Sequence, residues 1–583
     1  MTGEVDLIIR GGRVLDGSGA EAFDADIMID AGKIVAIGTA NLRGREEIDA
    51  RGKIVTPGFV DIHTHYDGQA IWSNRLDPSS AHGVTTVVLG NCGVGFAPCR
   101  SSDHDLLIRL MEGVEDIPEV VMAEGLPWTW ESFPEYLNAV ESSPRDIDVA
   151  AYLPHSALRV FVMGERGARR EAATSSDLET MGALAGEALR AGAIGFATST
   201  IPAHRTRDGE AIPTYLAAER ELQAIARAIA RAGHGVLQMV ADFEPEAADT
   251  AENLVSLFAR LSQTAGQPLC FTLTQSTRHP KRWREVLDRV NAANAIDGVT
   301  IRPQVLPRPL GMLLGHELSL NPFRMCPSYA REIAPLPQAL KLERLRNSAM
   351  RARLIRESPL EPKQILYRLG RTFERMFEIG DTINYEPALS ESIAARARRA
   401  GVDPLELAYD LMLERDGTAM LFLAASNYAN GNLDHALEMM RDESTVLGLG
   451  DGGAHYGLIC DASYPTFLLS HWARDRQGER LALPFVIKAL THVPASVVGL
   501  DDRGLLKPGY KADLNVIDYD ALTLRAPHIS DDLPGNRRRL NQSADGYNAT
   551  IVSGKAIVRY DQPTGTLPGR LVRAARPSVG LYR

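Results

Sequence analysis

The chain has 583 residues, a formal net charge of -11 at pH 7 and an apolar fraction of 45%. This length exceeds one ordinary hydrophobic core, so we expect one large domain of catalytic size and a smaller one. The acidic balance offers no basic surface for nucleic acid or an anionic membrane, and no stretch is apolar over the length of a membrane span.

The cysteines and the amino terminus predict the compartment. The five cysteines are scattered along a large chain, which is typical of reduced thiols. The first residues lack the basic start and apolar core of a secretory signal. We therefore expect a cytoplasmic protein whose partner is a small-molecule substrate, with no nucleic acid and no membrane.

The two ends of the chain have the texture of a small β unit. Residues 1–56 alternate short apolar runs with glycine-containing turns, which favours antiparallel strands. The same texture returns in residues 512–518 and 550–558. We predict one β-sandwich built from both termini, with residues 1–56 as its first part and 496–583 as its second.

The middle of the chain, residues 57–495, alternates short apolar strands with helices. Repeated βα units of this length indicate a parallel sheet, either a barrel or a doubly wound sheet. No Gly-x-Gly-x-x-Gly follows an early strand, so a dinucleotide-binding fold has little support. The predicted fold class is α/β, a (β/α)8 TIM-like barrel with the sandwich attached.

Two segments interrupt the βα rhythm, at about residues 101–146 and 311–380. Long insertions after barrel strands lie at the carboxyl face, where active sites are found. We expect them to form walls or lids of a substrate site, or alternatively a contact in a homo-oligomer.

His63 and His65 follow the apolar run that begins at Phe59. Alternation along a strand places the two imidazoles on one face, where they suit zinc and other late first-row metals. Two polar residues at a strand end are the alternative interpretation.

Strands two and three offer two further candidates. Residues 85–90 form an apolar run that is followed by Cys92. If the barrel forms, the Cys92 thiolate reaches the same cation. The alternative is that Cys92 is a small, buried hydrophobic residue. Residues 149–154 end at His155, which is a metal ligand, a group that polarises the substrate or a hydrogen-bonded capping residue.

Asp451 follows the apolar strand at residues 445–450. A carboxylate at the end of an apolar strand is costly to bury without a cation, so Asp451 is a candidate ligand and general acid/base. With His63, His65 and Cys92 it completes a nitrogen, sulfur and oxygen set for one zinc-like ion. Such an ion activates water, which predicts hydrolysis.

Six ordered motifs then show a resemblance to a known family. They span nearly the whole chain: residues 11–17 (GGRVLDG), 57–67 (PGFVDIHTHYD), 90–93 (GNCG), 128–133 (WTWESF), 450–455 (GDGGAH) and 509–514 (GYKADL). Together they resemble the D-aminoacylase-like, or N-acyl-D-amino-acid deacylase, branch of the amidohydrolase superfamily. The resemblance implies a metal-bearing barrel, a sandwich from both termini and hydrolysis of N-acylated amino acids. It also implies metal ligands at the two histidines, at Cys92 and at Asp451.

The chain departs from that pattern on strands five and six. Relatives with a filled second metal site carry a histidine at the end of each, whereas residues 237–242 and 273–276 contain none. Gln238 and Thr274 are poor neutral ligands for zinc, so we expect one Zn²⁺ and a weak or absent second site. We assign Gln238, Thr274 and Arg302 to substrate binding. Arg308 is an alternative to Arg302, and an ordinary salt bridge is the alternative for both.

The leading hypothesis is a metal-dependent hydrolase that cleaves the amide bond of an N-acyl amino acid or a similar small amide. Asp451 is its general acid/base, and His155 is a second catalytic candidate. Two other functions stay open. The altered strands five and six favour a lyase or isomerase on the same scaffold, and a non-catalytic interaction protein would lack metal.

Overall fold

The computed structural model describes residues 4–245, 249–359 and 365–574. The strands in chain order are β1 Val5–Val14, β2 Phe23–Asp30, β3 Lys33–Gly38, β4 Gly44–Asp49, β5 Ile54–Pro57, β6 Phe59–Asp61, β7 Val84–Leu89, β8 Asp148–Pro154, β9 Gly195–Ser199, β10 Val236–Val240, β11 Leu269–Thr272, β12 Ile301–Val305, β13 Leu310–Leu314, β14 Met376–Glu378, β15 Leu421–Ser426, β16 Val446–Leu447, β17 Leu514–Ile517, β18 Thr523–Leu524, β19 His528–Leu533, β20 Arg537–Asn541, β21 Ala544–Asp545, β22 Tyr547–Val552, β23 Lys555–Arg559 and β24 Gln562–Pro563.

The α-helices in chain order are α1 Gln69–Trp72, α2 His104–Glu115, α3 Glu119–Gly125, α4 Phe133–Ser142, α5 His155–Met163, α6 Glu165–Ala168, α7 Ser175–Ala191, α8 Glu219–Ala232, α9 Thr250–Ala265, α10 Arg282–Asn294, α11 Gln338–Arg346, α12 Ser348–Arg356, α13 Ile365–Leu369, α14 Ile393–Ala400, α15 Pro404–Met412, α16 Glu414–Gly417, α17 Asp434–Arg441, α18 Tyr464–Phe467, α19 Leu483–Leu490 and α20 His492–Val497. Within the described ranges, no helix has both the length and the apolar character needed to cross a membrane.

Eight strands form the central sheet in the order β16-β12-β11-β10-β9-β8-β7-β6, and the pairs along this path are parallel. Hydrogen bonds between the segments after β6 and β16 join its two ends. The Asp451 N–H donates to the His63 carbonyl at 3.1 Å, and the His65 N–H donates to the Gly452 carbonyl at 2.7 Å. The predicted (β/α)8 barrel is therefore confirmed, and the carboxyl ends of its strands meet in one mouth.

A nine-stranded sheet is built from both ends of the chain. Strand β5 pairs in parallel with β1 and antiparallel with β17, so that the amino-terminal and carboxyl-terminal strands share one layer. Buried aliphatic side chains from both ends form one cluster, including Ile9, Ile27, Leu514 and Ile551. The predicted sandwich from both termini is confirmed; residues 1–3 and 575–583 of its predicted parts lie outside the described residues.

Two insertions rise from the barrel's carboxyl face. Helices α2 to α4 lie between β7 and β8, in the segment predicted at about 101–146. The second insertion carries the antiparallel sheet β13-β15-β14 and a hydrophobic core of its own, with Phe323, Tyr409 and Leu423 among its buried members. Its sheet runs from Leu310 to Ser426, beyond the predicted limit at 380, because β15 completes it. Residues 360–364 of this prediction lie outside the described part of the chain.

Candidate metal centre

Four predicted ligands meet at the carboxyl ends of three barrel strands. His63 and His65 follow β6, Cys92 follows β7 and Asp451 follows β16. His63 Nε2 lies 3.4 Å from Cys92 Sγ and 3.4 Å from Asp451 Oδ1, and His65 Nε2 lies 3.6 Å from the same oxygen. The donor atoms of both histidines and the thiol are within 4.8 Å of one another. The structure therefore brings the two histidines and the thiol together, with the Asp451 carboxylate beside both imidazoles.

The spacing of these atoms fits a divalent ion. Ligand atoms about 2.0–2.3 Å from a tetrahedral ion lie about 3.3–3.8 Å from each other, and the observed separations fall in this range. The two ring nitrogens of His65 are buried and have no hydrogen-bond partner among the described residues. Buried polar atoms normally have partners, so an ion on His65 Nε2 accounts for one of these two orphans. Imidazole, thiolate and carboxylate are also the donor types that zinc-like ions take.

The backbone of the site is held in an uncommon conformation. Cys92 has φ +56° and Asp451 has φ +48°, which few residues other than glycine adopt. The Cys92 N–H donates to Gln238 Oε1 at 3.2 Å, which fixes the loop after β7. Gly450 has no room for a side chain, since a Cβ would lie 2.0 Å from Asp61 Oδ2. Strain at a cluster of polar side chains is typical of functional sites.

The charges of the cluster favour a cation. Burial alone would raise the pKa of Asp451, but the neighbouring His65 and His63 hold it well below its usual range. Burial raises the pKa of the Cys92 thiol to about 12. A divalent ion reverses this effect, because a coordinating thiol is deprotonated.

Glu115, the last residue of α2, lies beside this centre, and no motif of the sequence indicates it. Its side chain is 1% exposed, with Oε1 3.4 Å from His65 Nδ1 and Oε2 3.6 Å from His455 Nε2. Burial raises the pKa of its carboxyl to about 7, against the opposing effect of His65. The only signal in the sequence was an acidic residue after an apolar helix, and nothing in that pattern indicates contact with His65.

His204 is a second residue that the sequence did not indicate. It lies in the loop after β9, and its Nδ1 is buried without a hydrogen-bond partner in the described structure. Burial lowers its pKa to about 3, and the nearby His65 and His455 add to the shift. His204 therefore lies near the histidines of the centre, in a loop that carries no motif.

His155, predicted as a catalytic candidate, lies at the start of α5 with both ring nitrogens engaged. Its Nδ1 is 2.8 Å from Thr198 Oγ1, and its Nε2 is 2.7 Å from Glu221 Oε1. Arg159 also pairs with Glu221. These contacts correspond to the hydrogen-bonded alternative among the three roles that the sequence left open.

A cavity of about 860 Å³ opens beside β10 and β11. Thr274 lines it, as do Asp242 and Glu244. Five arginines also line it, which leaves an excess of positive charge over the two carboxylates: Arg205, Arg278, Arg282, Arg368 and Arg375. Buried guanidinium nitrogens of Arg282 and Arg375 lack a hydrogen-bond partner among the described residues. The cavity is suited to an anionic ligand.

Arg302 and Arg308, the two arginines that the sequence suggested for substrate binding, lie elsewhere. Arg302 is in β12 and donates to the Glu443 carbonyl at 2.7 Å. Arg308 is fully buried, 2.5 Å from Asp461, with its guanidinium 4.0 Å from the Tyr385 ring centroid. Neither lines the cavity.

This chain is similar to known proteins along most of its length. A family model described as the amidohydrolase family matches residues 46–558. An N-acyl-D-aspartate deacylase of Alcaligenes xylosoxydans xylosoxydans is 26% identical over 585 residues, which covers 98% of this chain and 95% of that protein.

Two solved structures share the fold at 23% identity, and each comparison covers 98% of this chain and 100% of the other. One is a D-aminoacylase, with a TM-score of 0.64, described for its binuclear metal centre with one-metal activation and second-metal attenuation. The other, with a TM-score of 0.63, is an N-acyl-D-glutamate deacylase from Bordetella bronchiseptica in complex with zinc and a phosphonate inhibitor.

Proposed function

Because the chain belongs to the amidohydrolase family, we propose that it hydrolyses the amide bond of an N-acyl amino acid with one divalent metal ion. One observation carries the proposal: ligand atoms of His63, His65 and Cys92 lie within 4.8 Å of one another. Asp451 Oδ1 lies beside them, 3.4 Å from His63 Nε2 and 3.6 Å from His65 Nε2. When bound, the ion supplies Lewis acidity and lowers the pKa of water.

In this proposal Asp451 moves the proton. Its pKa is held below the usual range, so Asp451 is a carboxylate at neutral pH and accepts a proton from the attacking water. It then returns the proton to the departing amine nitrogen. Asp451 is also a metal ligand in this proposal, so the proton acceptor lies next to the attacking water. His155 is not given a catalytic role, because Thr198 and Glu221 occupy its nitrogens.

The residues that line the cavity beside β10 and β11 support one class of substrate. Its arginines recognise carboxylates by paired, charge-assisted hydrogen bonds. The relatives are named for N-acyl derivatives of D-aspartate and D-glutamate. We therefore propose an N-acyl-D-amino acid with an acidic side chain as the substrate, with Thr274 in the wall of its site.

The ion in this proposal is a single Zn²⁺. Gln238 and Thr274 stand where a second site would need stronger ligands, since amide and hydroxyl oxygens bind zinc poorly. Reduced cysteines and an acidic surface support a cytoplasmic location, and a homo-oligomer stays a prediction.

Turnover in oxygen-18 water tests the proposed function. The zinc-loaded protein is offered N-acetyl-D-aspartate, N-acetyl-D-glutamate, their L-enantiomers and neutral N-acetyl-D-leucine. We expect the acidic D-compounds to react fastest and the released acetate to carry one oxygen-18 atom, because the attacking oxygen comes from water. Product without the label would establish non-hydrolytic chemistry, and no reaction with any N-acyl amino acid would contradict the proposed substrate class.

A further inference from the structure

Glu115 is an unusual residue for its position. Its carboxyl group is 1% exposed, and no Lys or Arg of the described chain pairs with it. Among the described residues its ion-pair contacts are with His65 and His455, and its Oε1 lacks a hydrogen-bond partner. The nearby carboxylates of Asp451 and Asp67 oppose its charge. Burying a carboxylate is costly unless it is paired, so this position needs a compensating role.

The surrounding segment fixes Glu115 firmly in place. The His455 N–H donates to the Glu115 carbonyl. The next residue, Asp116, accepts hydrogen bonds from Ser319 Oγ at 2.9 Å and from the Gly457 N–H at 3.1 Å. The end of α2 is thus attached to the loop that follows Asp451, and the carboxylate is directed at His65 by the fold.

The two ligand histidines have different partners behind them. His63 Nδ1 lies 2.7 Å from Gln304 Oε1, a neutral amide oxygen, whereas His65 Nδ1 faces the Glu115 carboxylate at 3.4 Å. In both rings Nε2 is left for the shared centre. A histidine that binds a metal commonly donates its other N–H to a carboxylate or carbonyl, which fixes the tautomer and raises the basicity of the ligand.

We propose that Glu115 is a positioning residue of the metal centre: once the ion is bound, Glu115 Oε1, which lies 3.4 Å from His65 Nδ1 here, accepts the Nδ1–H and thereby presents His65 Nε2 to the ion. This inference rests on the proposed metal site. It assigns a function to the insertion between β7 and β8, whose helix α2 delivers an outer partner to a ligand from β6. Glu115 contacts His65 at Nδ1, whereas Asp451 lies beside Nε2, so in this proposal Glu115 orients a ligand and does not serve as one.

Metal affinity is the decisive measurement. The apo-protein is titrated with Zn²⁺ in competition with a chromophoric chelator, for wild type, Glu115→Gln and Glu115→Leu. We expect about 10-fold to 100-fold weaker binding, with the larger loss for leucine, because outer partners of metal-bound histidines have effects of this size. Co²⁺ binding to the same variants should shift the d–d absorption bands, since the orientation of one ligand changes.

Glu112→Gln is the matched control on the same helix. Glu112 lies one turn before Glu115 and pairs with Arg207 at 3.0 Å, away from the metal centre. We expect its Zn²⁺ affinity to match that of the wild type. Apo-protein melting temperatures separate a role in orientation from a role in folding, and the near-isosteric Gln variant stays informative if the Leu variant does not fold.

Wild-type Zn²⁺ affinity in Glu115→Gln would overturn the inference, as would a lower apo melting temperature with unchanged affinity. A failure of the proposed function has a different signature. In that case wild-type protein either binds no Zn²⁺ or binds it equally well after His63→Ala/His65→Ala.

Discussion

The two sides of the barrel mouth differ in chemistry. On the side of β6, β7 and β16, imidazole, thiol and carboxylate groups lie 3.4–3.6 Å from their neighbours. On the side of β10 and β11 stand the neutral Gln238 and Thr274, beside a cavity lined by arginines. One side therefore has the donors of a metal site, and the other has the cations of a site for an anion. In the proposed function, the groups that react and the groups that select the substrate are therefore carried by different strands at one end of the same sheet.

Removal of the two histidines that follow β6 should have the largest effect on metal content and turnover. We expect about one Zn²⁺ per wild-type chain and none in His63→Ala/His65→Ala, with no turnover, because the remaining thiol and carboxylate cannot hold the ion. Plasma mass spectrometry of protein purified without chelator measures this. His528→Ala, at an exposed position in β19, is the histidine control and should keep its metal. Two ions in the wild type would show that the β10 and β11 side also binds metal.

Asp451→Asn should lower kcat by about 10²–10⁴-fold, the usual contribution of a general acid/base. The variant removes the proton acceptor with almost no change in shape, so the circular dichroism spectrum and melting temperature should stay close to those of the wild type. Steady-state kinetics with the metal-loaded variant provide the measurement. Wild-type turnover would remove Asp451 from the proposed chemistry.

The cavity side should affect binding more than turnover. Arg375→Gln should raise KM about tenfold for an acidic N-acyl amino acid, through the loss of one charge-assisted hydrogen bond, while kcat changes little. The neutral N-acetyl-D-leucine should show no such increase. Arg302→Gln is the comparison variant, because Arg302 lies outside the cavity lining. An increase with Arg302→Gln alone would restore the original assignment of that residue.

Gln238→Ala should have the smallest effect. The substitution removes the oxygen that accepts the Cys92 N–H, which we expect to cost about 1 kcal/mol of unfolding free energy. Thermal unfolding of the apo-protein measures the loss. Zinc stoichiometry should stay near one, since Gln238 is not among the proposed ligands; a loss of the ion would mean that Gln238 coordinates it.

Much of this molecule could be predicted from local patterns. Alternating βα texture indicated the barrel, and the strand-end positions of His63, Cys92 and Asp451 predicted their convergence, because parallel strands of a barrel all point to one face. The start of α7 shows how such patterns can be ambiguous by two residues. Residues 174–177 and 176–179 both match the four-residue pattern of a capping box, and the structure forms it with Thr174 and Asp177.

Other features depend on contacts that no local pattern specifies. Glu115 and His204 reach the centre from an insertion helix and from a loop, so their positions follow from tertiary packing alone. The hydrogen-bond partners of His155 could not be predicted from local sequence either, because Thr198 and Glu221 lie in β9 and α8, far along the chain. The position of a residue along its strand predicts at which end of the barrel it lies. The contacts of its side chain depend on how the insertions and outer helices pack.

The pairing of β5 with β17 has a consequence for the order of events during synthesis. Val55 lies opposite Val516, and β6, which leads to His63 and His65, begins only two residues after β5 ends at Pro57. Strand β5 therefore lacks one of its neighbours until β17 has been synthesised near the end of translation. Pairing between strands so far apart in the sequence is slow. A ribosome-bound chain that stops short of residue 514 already contains all eight barrel strands and the four proposed ligands, but one edge of β5 is still without its partner. The sheet shared by the two termini is therefore completed last.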